Sequence, residues 1–275
     1  MPLQIDYATV WYYFSIYYSR KEWHILLPFI RQFYEENILI IKQCFISFSD
    51  EGGESIRCAF LFHSPPQEDI REYIEFFFYS ALKENPSSFT DSFPYGEKLW
   101  INYPVNHIEW YNFDMPILIL RSSEYLNFSH LLSLLVIDLM DEELSDKDGC
   151  TGLATLFMLG LLRSSSLNQQ MKTDVLDGFR KEELNGNHTP ENGVIMDSYF
   201  SYLPDQKETE HCFNLWLKEV EAIYCRHGLK RTFINMVGII CFSLNIDDKT
   251  GFTMLDLLYF WHKNRGEVDN HFAHE

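Results

Sequence analysis

The segment at residues 43–63 restricts the possible folds more than any other part of the sequence. Two runs rich in Phe, Ile and Cys flank acidic residues and a Gly-Gly pair, a pattern that predicts a β-hairpin. Alternation places Arg57 on one face of the second strand and the other side chains of that face are Ala59, Leu61 and His63. Both faces are largely apolar, so both must be covered. A guanidinium on a covered face needs an anionic partner or ligand; the alternative is a rim position with its charge in water.

The residues around the hairpin predict a β, α, β, β, α, β order. Residues 8–18 are typical of a strand, and Ser19 and Glu22 have the spacing of a capping box that begins a helix. A second helix follows Pro66 and ends before Pro86, and a short strand is predicted at residues 98–103. This is the ferredoxin-like arrangement, with helices on one face of the sheet. It predicts a first portion at residues 1–105.

The remaining residues, 106–275, predict a mainly helical portion. Apolar residues recur at i, i+3 and i+4 in seven segments, at residues 117–127, 129–142, 150–163, 169–184, 207–227, 230–245 and 253–265. This portion is the only candidate to cover the second sheet face. We therefore expect an α+β fold in which a ferredoxin-like βαββαβ half and a mainly helical half pack as one compact unit.

Composition excludes several classes of protein. The net charge of -18 argues against direct binding of nucleic acid, because that binding depends on Lys and Arg at phosphates. No uncharged apolar run is long enough to span a membrane, no secretory signal begins the sequence, and the cysteines lie in apolar segments. We expect a cytoplasmic protein with reduced thiols. Cys212 and Cys225 lie about 20 Å apart on one predicted helix, too far to share zinc. We expect no metal and no cofactor.

The last predicted helix carries two basic residues on its apolar stripe. Thr253 suits the start of this helix and Gly266 its end, and His262 and Arg265 continue the stripe. A helix carboxy terminus favours a cationic imidazole, which would make His262 a proton donor. The alternative is that His262 caps the helix by bonding to its last carbonyls.

Three short motifs then resemble a known family. The hairpin resembles the pattern F-I-R-Y-x-D-P-G-x-H-L-R-L-R-F, the tail FWHKNRG resembles H-M-H-x-N-R-L-x-G, and the residues IEWY at 108–111 resemble the E-R-Y of a third motif. In this order they are similar to the carboxy-terminal domain of class I lantibiotic dehydratases, which also occurs alone in thiopeptide-type bacteriocin clusters. The resemblance covers residues 8–266.

The resemblance implies a site and a reaction. In that family the domain eliminates glutamate from glutamylated Ser and Thr of a ribosomally made precursor peptide. The partners that the resemblance implies are this peptide and, for elimination, a separate glutamylation enzyme. The matching catalytic positions are Arg57, His262 and Arg265, and the matching substrate-binding positions are Asp50, Glu109, Tyr111 and Asn264. Arg57 suits a carboxylate clamp and His262 suits proton transfer. Four family residues are replaced, the three arginines by Ser47, Ala59 and Trp110 and one histidine by Phe260.

Three functions stay open at this point. The first is a lyase that eliminates glutamate, and the second is a cyclase that joins two dehydroalanines into a pyridine ring by [4+2] cycloaddition, as thiopeptide relatives do. The third is a non-catalytic protein that binds the precursor as a strand added to the hairpin edge. The sequence leaves the oligomeric state open.

Overall fold

The structure is a computed structural model that describes residues 10–63, 70–88, 103–110, 115–116, 119–120, 122–164, 167–183, 207–227 and 229–272. The chain divides into two compact units. The first extends to Met115 and also includes Leu132–Lys147, and the second comprises Pro116–Leu131 and the residues from Asp148 onward. The boundary expected at residue 105 stays a prediction.

The first unit contains a four-stranded antiparallel sheet. Its strands are β1 (Val10–Tyr17), β2 (Ile41–Ser49), β3 (Ser55–Phe62) and β4 (His107–Glu109), in the spatial order β2-β3-β1-β4. A 3-10 turn (Arg20–Glu22) and α1 (Trp23–Glu36) connect β1 to β2, and α2 (Ile70–Glu84) lies between β3 and β4. These elements confirm the α+β fold and the βαββαβ order. The strand expected at residues 98–103 lies outside the described residues except for Tyr103, which is not in a strand.

The strand register gives the sheet two different faces. Arg57 pairs with Ser15 on β1 and with Ser47 on β2, and Ser15 also pairs with Glu109 on β4. Directly opposed residues point to the same side, so these four side chains form one row across the sheet. We call this side the Arg57 face. The opposite side, the helix face, carries Phe14, Ile16, Ile56, Cys58, Phe60 and Ile108.

Helices α1 and α2 cover the helix face with aromatic side chains. Phe33 of α1 contacts Phe60 with ring centroids 5.2 Å apart, and Phe78 of α2 lies 5.5 Å from Phe14. Burying one such ring stabilises the fold by roughly 1.5–3 kcal/mol, so this layer is the core of the unit. The buried stripe of α2 includes Phe78, whereas Tyr73 on the same helix is 41% exposed.

A third helix covers the free edge of the hairpin. Strand β2 is an edge strand, and the backbone N–H of its Ile46 donates to Ser133 Oγ at 3.0 Å. Ser133 belongs to α3 (Ser123–Leu139), and Asp138 of the same helix lies 3.7 Å from Arg31 of α1. A helix side chain therefore occupies an edge donor that an added strand would use.

The second unit is helical in its described part. Its helices, beyond the first half of α3, are α4 (Lys147–Arg163, whose first residue belongs to the first unit), α5 (Gln169–Glu183), α6 (Lys207–Arg226), α7 (Leu229–Ser243) and α8 (Asp248–Phe272). Every residue of α4 from Gly152 to Leu162 is buried, which makes it the central helix. A Cβ on Gly160 would come 2.8 Å from Trp216 of α6, so glycine permits this close approach.

Three local predictions about helix ends are wrong. Helix α3 is continuous where two helices, at residues 117–127 and 129–142, were expected. Helix α8 does not stop at Gly266 and continues to Phe272. Ser19 does not cap α1, because the Glu22 carboxylate instead accepts hydrogen bonds from Ser87 Oγ at 2.6 Å and from the backbone N–H of Ser88 at 2.9 Å.

Candidate functional site

Arg57 lies in the middle of the Arg57 face between two serines. Its side chain is only 11% exposed, and its guanidinium forms an ion pair with Glu51, whose side chain is 81% exposed. The flanking Ser15 and Ser47 are buried, and the Ser47 hydroxyl has no hydrogen-bond partner among the described residues. The anionic partner expected for a guanidinium on a covered face is thus present, and it comes from the turn of the same hairpin.

The hairpin turn is fixed by glycine conformation and by two tyrosines. Gly52 and Gly53 have φ values of 70° and 125°, which side chains rarely adopt. A Cβ on Gly52 would lie 3.3 Å from both Tyr103 Cδ2 and the Tyr17 hydroxyl, and the backbone N–H of Tyr103 donates to the Gly52 carbonyl at 2.8 Å. The turn therefore holds Glu51 in a defined position near Arg57.

Arg20 binds the other two acidic residues of the turn. Its guanidinium forms an ion pair with Asp50, and its backbone N–H donates to Glu54 at 2.8 Å. The three acids of the turn are thus bound by the two arginines and by one backbone donor. Asp50, predicted to bind substrate, has a structural partner in Arg20, which lies in the 3-10 segment after β1.

Glu109 and a neighbouring histidine form a second pair on the Arg57 face. Glu109 Oε2 lies 3.2 Å from His107 Nε2, and these side chains are 33% and 34% exposed. The His107 ring stacks with Tyr103 at 5.9 Å and with Tyr17 at 6.5 Å, and the two tyrosines stack on each other at 4.7 Å. Sequence reasoning selected Glu109 but missed His107. The signal was their spacing of two residues, which places both on one side of a strand.

His262 lies in the second unit and is buried. It is 8% exposed, and its Nε2 atom is 3.3 Å from Thr173 Oγ1 of α5. The helix continues for ten residues beyond it, so the carboxy-terminal dipole argument for a cationic imidazole is wrong, since that effect is limited to the last turn. The alternative of a helix-capping histidine is wrong for the same reason.

The other predicted residues fall outside what the structure describes. Tyr111 is not among the described residues, and the side chains of Asn264 and Arg265 are not described either, although their backbone lies in α8. Arg57 and Glu109 lie in the first unit and are brought onto one face. A joint role for Arg57 and His262 stays a prediction.

One solved structure gives the fold a known counterpart. The chain is similar to the pyridine synthase TbtD from thiomuracin biosynthesis, with a TM-score of 0.56 and 13% sequence identity, over 92% of this chain and 98% of that chain. At this identity the similarity establishes the fold. No protein-family model matches the sequence, and no curated protein matches it.

Three positions at which the resembled motifs have arginine lie on different sides of the sheet. Ser47 and Ala59 are on the Arg57 face, one beside Arg57 on the next strand and one two residues along β3. Trp110 instead packs against Phe14 of the helix face at 5.2 Å, and its indole N–H donates to Glu75 at 2.6 Å. Two replacements therefore remove positive charge near Arg57, and the third provides packing against α2.

The two cysteines of the sheet are packing residues. Cys44 and Cys58 are buried in the sheet, and burial raises the pKa of the Cys44 thiol to about 12. Both therefore stay protonated and act as apolar filler. Within the described ranges, no three His, Cys, Asp or Glu side chains are grouped as metal ligands, and no helix is both long and apolar enough to cross a membrane.

Proposed function

We propose that this protein modifies a ribosomally made precursor peptide, and that its reaction joins two dehydroalanines into a pyridine ring with release of the leader peptide. One observation carries the choice of reaction. The Arg57 face has a single guanidinium in its central rows, with Ser47 and Ala59 at the positions of the other arginines, and that guanidinium is paired with Glu51. A dehydrated peptide is neutral at its reacting residues and needs no further cation there.

The fold and the motifs support the same class of reaction. The similarity to a thiomuracin pyridine synthase extends over almost the whole chain. Cycloaddition requires an amide of the substrate to be polarised and a proton to be moved on it, and a guanidinium and an imidazole are suitable groups for this. Arg57 is the candidate for polarising the amide. His262, Asn264 and Arg265 stay candidates through the resemblance of the tail motif.

Elimination of glutamate is the second candidate, and Arg57 is the observation that favours it. A largely buried guanidinium that already binds an exposed carboxylate could bind a substrate carboxylate in its place. This reaction would also require a partner enzyme that glutamylates the precursor. The weakness of this candidate is that the carboxylate would have one arginine where the family pattern has several.

Non-catalytic binding by strand addition is the third candidate. The hairpin edge that it would use is covered at Ile46 by Ser133. The backbone N–H of Ile46 would have to lose this hydrogen bond before a peptide strand could pair with β2 at that position. This contact makes the third candidate weaker than the two enzymatic ones.

Mass spectrometry of two synthetic precursor peptides separates the three. One peptide carries glutamylated Ser and the other carries two dehydroalanines, both behind the same leader. We expect the protein to split the second peptide into a released leader and a ring-containing core, and to leave the first unchanged. Loss of glutamate from the first peptide would establish elimination instead. If both peptides bind but keep their masses, the protein is a binding module and the proposed reaction is wrong.

A further inference from the structure

The pair formed by His107 and Glu109 has the chemistry of a proton-transfer site. When Glu109 accepts the proton of His107 Nε2, the hydrogen bond selects one tautomer of the imidazole. The Nδ1 atom then carries the lone pair and faces away from the carboxylate. A carboxylate behind an imidazole orients the ring and stabilises the imidazolium that forms when Nδ1 takes up a proton.

The ring is held in place before any ligand binds. His107 is nearly parallel to Tyr103, with an interplanar angle of 13°, and it also stacks with Tyr17 at 25°. Tyr17 is 2% exposed and belongs to β1, and Tyr103 is fixed to the hairpin turn through the Gly52 carbonyl. Groups held by packing on rigid strands keep the geometry that acid–base catalysis requires.

The pair is also accessible, unlike the histidine of the tail motif. About one third of the His107 and Glu109 side chains is exposed, whereas His262 is buried and bonded to Thr173. The central serines of the Arg57 face are buried, whereas Glu51 at the turn is exposed and the His107–Glu109 pair at β4 is partly exposed.

The strand register also sets the distance between Arg57 and the His107–Glu109 pair. Arg57 and Glu109 both pair with Ser15, from opposite sides. Opposed Cα atoms in antiparallel strands are about 4.5–5.5 Å apart, so the Cα atoms of Arg57 and Glu109 are about 10 Å apart. This distance corresponds to about three residues of extended peptide.

We propose that His107, oriented by Glu109, is an acid–base residue of the peptide modification. This inference rests on the proposed pyridine-forming reaction. His107 Nδ1 takes the proton from the amide N–H of one dehydroalanine and delivers it to the oxygen of the same amide, which gives the imidic acid form. The C=N and C=C bonds of that form are the four-atom unit that reacts with the second dehydroalanine. The proton returns to the substrate, so His107 ends the step unchanged.

The test is the rate at which full-length variants convert the synthetic peptide with two dehydroalanines, followed by mass spectrometry. General acid–base groups contribute about 10²–10⁴-fold, so we expect His107→Ala to lose activity by about that factor. Added imidazole should restore part of the rate, and Glu109→Gln should lose less than His107→Ala. His63→Ala is the matched control, because His63 is an exposed histidine of the same unit, and it should keep the wild-type rate.

The measured rates decide whether His107 is an acid–base residue. A rate for His107→Ala within threefold of wild type overturns the inference while leaving the proposed function standing. A loss that imidazole does not relieve, accompanied by a lowered melting temperature in both His107→Ala and His107→Gln, assigns His107 a structural role and also overturns it. If the wild-type protein converts neither peptide, the proposed function fails and this inference fails with it.

Discussion

Replacing Trp110 tests the packing described for the residue that follows β4. Trp110 follows β4 and lies at 5.2 Å from Phe14, with the Arg71 guanidinium 4.8 Å from its ring centroid. Its indole N–H donates to Glu75 at 2.6 Å. The residue therefore links β4 to α2 and to the core of the first unit. We expect this position to require an aromatic ring for stability.

The contacts of Trp110 determine how much stability its removal should cost. A buried aromatic covers about 150–250 Å², and Trp110 is half-buried, so its removal returns about 100 Å² of packing to water. At 25 cal/mol per Å² this is about 2.5 kcal/mol. The hydrogen bond to Glu75 adds about 1 kcal/mol, and the contact with Arg71 adds about 0.5–1 kcal/mol. Trp110→Ala should therefore lower the free energy of unfolding by about 4 kcal/mol.

Two further substitutions make the prediction specific. Trp110→Phe keeps a ring against Phe14 and loses mainly the N–H donor, so it should cost about 1–2 kcal/mol. Trp110→Arg restores the family residue but places a second cation beside Arg71, so it should cost at least as much as alanine. Urea unfolding followed by circular dichroism measures all three. A Trp110→Arg protein as stable as wild type, or a phenylalanine as costly as alanine, would refute the packing described for this residue.

Two other predictions concern contacts that hold the first unit together. The hydrogen bonds from Ser87 and Ser88 outweigh partial burial and lower the pKa of the Glu22 carboxyl, so its contribution to stability is full above the unfolded pKa of 4.5 and is lost as the pH falls through the lower folded pKa. Glu22→Gln should thus have a smaller difference in urea midpoint between pH 7 and pH 3 than wild type, and an equal difference would contradict this linkage. Ser133→Ala leaves the buried N–H of Ile46 without its partner and should cost about 1–3 kcal/mol. In the control Ser129→Ala, which removes a hydroxyl bonded to a carbonyl four residues earlier in the same helix, the urea midpoint should change less.

The sheet was predictable because its pattern is local. Strand side chains alternate with a period of two, so the apolar runs of the hairpin fix which residues share a face with Arg57. The two glycines of the turn have the positive φ values that the pattern requires. The order of strands then follows from the ferredoxin-like arrangement of elements. Alternation and the turn depend on residues within about ten positions of one another, whereas the strand order depends on pairings between distant parts of the chain.

The errors at helix ends have a different physical origin. One glycine within a helix costs about 1 kcal/mol relative to alanine, and no proline follows Gly266, so its presence alone did not end α8. Glu22 has the spacing of a capping residue, but Ser87 and Ser88 offer its carboxylate stronger donors from 65 residues away. Contacts of this kind have no counterpart in the local pattern, so sequence reasoning chose the capping box.

The candidate site was predictable in part for the same reason. Alternation placed Arg57 on a covered face, and the resemblance of residues 108–111 to a family motif selected Glu109. The stack of Tyr17, Tyr103 and His107 joins residues 90 positions apart through the register of β1 with β4 and the approach of Tyr103 to the turn. Sequence alone does not show that register. His107 became a candidate only when its neighbours were known.

The charges around Arg57 are balanced although two arginines of the resembled motifs are replaced on this face. Ser47 and Ala59 are neutral and small, so they add no charge beside Arg57, and Glu51 from the fixed turn pairs with it. Additional arginines at these positions would lie about 5–7 Å from Arg57 and would require further anions, such as substrate carboxylates, to be stable. A face that is balanced without a ligand is suited to a neutral peptide. Under the proposed function, Arg57→Gln should lower the rate at which the dehydrated peptide is converted, measured by mass spectrometry, and an unchanged rate would contradict the role given to Arg57.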